Sequence, residues 1–151
     1  IEHAGSFSSV NFRLGISGYG YKSFKMAGIT AGFGTEDLVV MGEFDLTHHA
    51  INVTSSNVPV NDRVNQMAAY AEIDLRAMQG LWVIGKFDIF DPLQGISDDD
   101  LSLSTNSVKR LTMGLEIFPY SFIEIRPEYR LNLENPSVMN DQFLVQTHIW
   151  Y

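Results

Sequence analysis

Charged side chains recur at every second position along short apolar stretches of this chain, and the chemistry open to them is ionic. Glu124, Arg126, Glu128 and Arg130 form the densest run. Arg13, Lys25, Glu43, Asp45, Glu72, Asp74, Arg76, Lys86, Asp88, Arg110 and Glu116 lie in similar surroundings upstream. In a strand a spacing of two puts such groups on one face. A face of this kind can neutralise itself through cross-strand pairs, with Glu116 in reach of the 124–130 ladder, or it can line water and bias the passage of ions.

Other chemistries find little footing. There is no Cys, hence no disulfide framework, thiolate nucleophile or thiolate metal site. No GxSxG elbow or HExxH pair occurs, so no catalytic residue is assigned. His48 and His49 are adjacent and would point to opposite faces of a straight strand, which prevents joint chelation of a metal. His148 reads as a hydrogen-bonded inward residue and His3 as part of the amino-terminal tail. Asp98, Asp99 and Asp100 lack the ligand spacing of a Ca²⁺ loop and read as an exposed acidic loop. Gly15, Gly18, Gly20, Gly28, Gly32 and Gly34 sit within strand-like sequence rather than ahead of a helix, which disfavours a phosphate loop. No cofactor or metal is expected.

The elements that must hold these charges are strands. Alternating segments fall at residues 7–18, 23–33, 38–48, 66–77, 81–90, 108–118, 122–131 and 141–151, separated by Gly, Asn, Asp or Pro. No segment offers a helical stripe. Connections alternate in length: 34–37, 79–80 and 119–120 are short, 50–65 and 91–107 are long, and 132–140 is intermediate. The connection at 19–22 is shorter than that alternation asks. With 151 residues, one domain spanning 1–151 is expected. The 18 acidic against 10 basic residues, a net charge of −8, disfavour duplex nucleic acid or an anionic membrane surface as a partner for the chain as a whole. No stretch of 18 apolar residues and no leader is present, so the chain reads as a mature form or as one piece of something longer.

The same alternation describes a soluble sandwich, with polar faces in water, and a membrane barrel, with apolar faces in lipid and charges inside. Segment lengths near the roughly 9–11 residues of a tilted crossing favour lipid. So do aromatics near segment ends: Tyr19, Tyr21, Trp82, Phe90, Phe118, Tyr120, Phe122, Trp150 and Tyr151. Trp82 and Trp150, however, fall on the inward parity.

The terminal DQFLVQTHIWY resembles the carboxy-terminal signature of Gram-negative outer-membrane β-barrels, with Val145, Ile149 and Tyr151 matching the assembly signal and Tyr standing for the more usual Phe. LWVIGKFDIFDP at 81–92 and KRLTMGLEIFPYSFIEIRPEYRLN at 109–132 are similar to the closing strands of porin-like channels, including relatives of the phosphate-selective porins and the barrels that sheathe multihaem cytochromes. The resemblance implies an antiparallel up-and-down transmembrane β-barrel of about eight strands, whole or the closing part of a larger one. It implies an outer-membrane location, with lipid, lipopolysaccharide, the barrel assembly machinery and other envelope proteins as partners. The expected function is passive passage of ions or small solutes past the charged face. The alternatives are a plugged barrel serving as anchor, stabiliser or sheath, and a soluble β-rich binding module.

Overall fold

A computed structural model describes residues 2–7, 9–51, 62–94, 107–133 and 139–150. Among the described residues nine strands form one antiparallel sheet in simple sequence order. They are β1 (Glu2–Phe7), β2 (Val10–Tyr21), β3 (Phe24–Gly34), β4 (Leu38–Ile51), β5 (Asp62–Met78), β6 (Leu81–Gln94), β7 (Val108–Tyr120), β8 (Ile123–Asn132) and β9 (Gln142–Ile149). All eight segments expected from alternation are present. The ninth strand, β1, arises where the sequence suggested a tail, and pairs with β2 from Phe7↔Val10 to Glu2↔Gly15. Among the described residues β1 and β9 do not pair, so the sheet is open rather than closed.

Short turns gather at one end of the sheet. Gln79 and Gly80 join β5 to β6, and Gly80 adopts φ +78°. Only Gly enters that region without strain, and here its carbonyl accepts Phe118 N–H at 2.8 Å. The β3–β4 turn is held by Thr35, whose Oγ1 accepts the amides of Asp37 and Leu38. At the opposite end the short β2–β3 connection is a tight hairpin at Lys22–Ser23, with Lys22 at φ 52°.

Three prolines fall inside strands, and Pro119 lies at the register shift near the end of β7, which runs on to Tyr120 and puts the turn at Ser121–Phe122 rather than at the expected 119–120. Pro92 was expected to open a loop, yet β6 runs on to Gln94 because a register shift between Asn65 and Met67 of β5 sets Pro92 and Leu93 against a single partner residue. A bulge tolerates a residue without an N–H. Pro127 lies in β8 opposite Val145, and its carbonyl approaches Gly114 of β7 so closely that a Cβ there would stand 2.9 Å away.

The two faces separate by chemistry. Leu14, Ile29, Phe44, Ala69, Phe87, Leu111, Tyr129 and Phe143 share one face across β2 to β9, as the registers require. Among the described residues this face has no second layer over it: Ile16 and Met113 are each 55% exposed and Phe143 69%. The other face carries nearly all the charges and is the more buried. Thr112, Glu124 and Glu128 are only 4%, 6% and 5% exposed, and Ile84 is the one buried hydrophobic residue among those described. A sheet whose carboxylates are hidden while its Leu, Ile and Phe side chains stand open has inverted the usual soluble arrangement.

Candidate functional site: the charged concave face

Strand registers place Arg13 (β2), Glu43 and Asp45 (β4), Glu72, Asp74 and Arg76 (β5), Lys86 and Asp88 (β6), Arg110 and Glu116 (β7), and Glu124, Arg126, Glu128 and Arg130 (β8) on the same face. Lys25 departs from the expectation. It stands opposite Gly20 and His48, on the apolar face with Ile29 and Phe33. Its parity is set by the β2–β3 hairpin pairing Tyr21↔Phe24, and β3 fills its polar-side positions with Met26, Gly28, Thr30 and Gly32 instead.

Arg126 joins the largest cluster. Its Nε donates to Glu128 Oε1 at 2.7 Å, and its Nη2 reaches Glu72 Oε1 at 3.5 Å. Glu128 Oε2 accepts Arg130 Nη2 at 2.9 Å. Lys86 lies 3.8 Å from Glu72, 3.5 Å from Asp88 and 4.6 Å from the centre of the Tyr70 ring. Glu72 is on β5 and Arg126 on β8, three strand spacings or about 14 Å apart along the sheet. Their meeting above β6 and β7, together with the low exposure of this face, makes it concave.

Smaller groupings flank this web. His148 Nδ1 is 3.1 Å from Glu124 Oε2, as its inward parity led us to expect. Arg110 Nε donates to Asn132 Oδ1 at 3.2 Å. Arg76 pairs with Asp37 at 2.8 Å on the short-turn rim. Asp45 lies flat across Gly28, where any Cβ would overlap its carboxylate. The Oδ1 atoms of Asp45 and Asp74 are buried with no hydrogen-bond partner among the described residues.

Thr112, Tyr70 and Asn132 belong to the site although sequence reasoning did not select them. Their inward parity was available, but only the folded curvature shows which neutral side chains the charges rest on. Val145 and Ile149, read as part of an assembly signal, are exposed on the apolar face of β9. Tyr151 and Asp98, Asp99 and Asp100 lie outside the described residues, as do the side chains of His3 and His49. Among the described residues no group of three His, Asp or Glu is placed to hold a metal ion. No family model, curated protein or solved structure matches this chain.

The arrangement can do two things. It can fix four strands to one another through ions held at low exposure, and it can present a graded field to anything crossing the concavity. Among the described residues it places no nucleophile beside a base and an oxyanion pocket.

Proposed function

We propose that this chain forms the wall of a transmembrane β-barrel in a bacterial outer membrane and that ions or small solutes pass along its concave side. The observation that supports this reading is the inversion of burial, with aliphatic side chains exposed on one face and Glu124 and Glu128 hidden on the other. The dimensions agree. On β4, Leu38 to His48 bounds the uncharged outer stretch; those ten residue steps measure about 33 Å, or roughly 23 Å across a bilayer at a 45° tilt, against an apolar band about 25 Å tall in such barrels. At the long-loop end the outer face turns polar at Lys25, His48, Asn65, Asp91 and Lys109.

In hydrocarbon the open edges of β1 and β9 would leave N–H and C=O groups unsatisfied, so further strands must meet them. The reading is therefore a share of a larger barrel, assembled by the cellular machinery that inserts such proteins. A second reading, a sheath or anchor without a through-path, draws support from the ion-pair web over β5–β8, which occupies part of the concavity.

Planar-bilayer recording of the purified protein tests both. Discrete conductance steps are expected of a channel, and bilayer insertion without current would favour the sheath. Recovery of the protein in aqueous buffer without detergent, with no partition into lipid vesicles, would refute the membrane reading.

A further inference from the structure

Lys25 is out of place among apolar neighbours, and its surroundings say what answers its charge. Lys25, His48 and Asn65 stand side by side on β3, β4 and β5, on the apolar face at the end of the sheet that bears the long loops. His48 Nδ1 lies 2.7 Å from Asn65 Oδ1. With that oxygen accepting, the Asn65 amide nitrogen keeps its donors for another group.

Donors dominate this corner. Lys25 supplies an ammonium and Asn65 an amide. Among the described residues no carboxylate bridges Lys25, and the nearest on this face, Asp91, is on β6, three strands away. On the β2 side Gly20 and Gly18 leave open space beside Lys25. A groove of about 340 Å³ is lined by Lys25, Ala27, Leu46, His48 and Asn65 together with Met26 and Thr47. Its donors lie at the sheet end, and its aliphatic floor continues down the strands to Ile29, Phe44 and Ala69.

We infer that this groove binds the phosphate of an anionic lipid in the leaflet on the long-loop side, the acyl chain lying along the aliphatic floor. The inference rests on the membrane reading above. Two features select a lipid over free phosphate: the floor has nothing to offer a small anion, and a cation at the edge of hydrocarbon is stabilised by a headgroup held at the same depth. An ammonium–phosphate contact adds charge-assisted hydrogen bonds that a zwitterionic headgroup offers less well.

The experiment has three arms on the full chain. Insertion into neutral phosphatidylcholine vesicles is followed by protease protection. Binding of a short-chain phosphatidylglycerol, with phosphatidylcholine of equal chain length as reference, is measured by native mass spectrometry from a neutral detergent. Inorganic phosphate is added as competitor. Expected are insertion into neutral vesicles, preferential binding of phosphatidylglycerol, a loss of about tenfold or more in K25Q with retention in K25R, and little competition by millimolar phosphate.

N65A should weaken binding less than K25Q, and both variants should still insert, since Lys25 and Asn65 lie at the boundary. Equal binding of the two lipids, or an unchanged preference in K25Q, would overturn the inference while leaving the barrel intact. Displacement by phosphate would assign the corner to a soluble anion instead. Failure to insert into vesicles of any composition would refute the membrane reading, and this inference with it.

Discussion

Arg126→Ala is the perturbation that tests whether the concave face is a shielded ionic interior or a water-washed surface. Wild-type Arg126 serves two carboxylates: Glu128, only 5% exposed, at 2.7 Å, and Glu72 at 3.5 Å. Removing it leaves Glu128 with Arg130 alone, and Glu72 with Lys86 at 3.8 Å. Losing one short charge-assisted bond at a buried acceptor costs about 1.5–3 kcal/mol, and the longer contact to Glu72 adds under ~1 kcal/mol. The remaining partners keep the total below the roughly 3–5 kcal/mol of a fully orphaned buried ion.

A destabilisation of about 2–4 kcal/mol is therefore expected, read by urea unfolding from lipid vesicles with Trp82 and Trp150 as fluorescent reporters. Double-mutant cycles sharpen the result. Coupling of Arg126 to Glu128 should exceed its coupling to Glu72, as the two distances require. A loss under ~0.5 kcal/mol, or equal couplings near zero, is what exposed surface pairs give. That outcome would refute the shielded interior, and with it the claim that burial on this face has structural weight.

Three further outcomes follow from the geometry. Phe44→Arg, midway along β4 on the apolar face, should cost about 2–4 kcal/mol in a bilayer, whereas His48→Arg at the polar boundary should cost about 0–1 kcal/mol; equal effects in vesicle-unfolding titrations would contradict a lipid-facing band. Gly114→Val should destabilise by about 1–3 kcal/mol, because the Pro127 carbonyl stands 2.9 Å from its Cβ, while Gly20→Ala, with nothing within 4 Å, should not clash; the same titrations compare them. Gly80→Ala should cost about 1–2 kcal/mol, since φ +78° is strained for Ala and the Phe118 carbonyl lies 3.1 Å from the new methyl; thermal unfolding reads it directly.

The strands were legible because alternation of period two is a local property: each strand shows its own two faces without knowing its neighbours. The turn at Gln79–Gly80 was legible for the same reason, being readable as a stop wherever it falls, whereas the stop read at Pro119–Tyr120 lies inside β7 and the turn falls at Ser121–Phe122. The misses come from longer range. Pro92 looks like a loop opener in isolation, and only the bulge opposite Gln66 makes room for it in a ladder. β1 has no alternation strong enough to announce it, and its strand character comes from pairing with β2.

Parity also assigns a residue to a face only if the strand's frame is known, and a charge is a tempting but unsafe marker of that frame. In β8 four charges at every second position set the frame, and the structure brings three of them into one web with Glu72. In β3 a single lysine among Gly, Ala, Ile and Thr could not set it. Reading Lys25 as inward meant trusting charge over the aliphatic set Ala27, Ile29, Ala31 and Phe33, which shares its parity. The aliphatic set prevails because a whole row of apolar side chains on one exposed face outweighs one flexible ammonium at its end, which can reach water or an anion by extending along the surface. The same asymmetry governs the sheet: the concave face can hold carboxylates at 5–6% exposure only because arginines or a histidine from the same or adjoining strands stand beside them. Curvature, which no single strand encodes, brings Glu72 of β5 into that company.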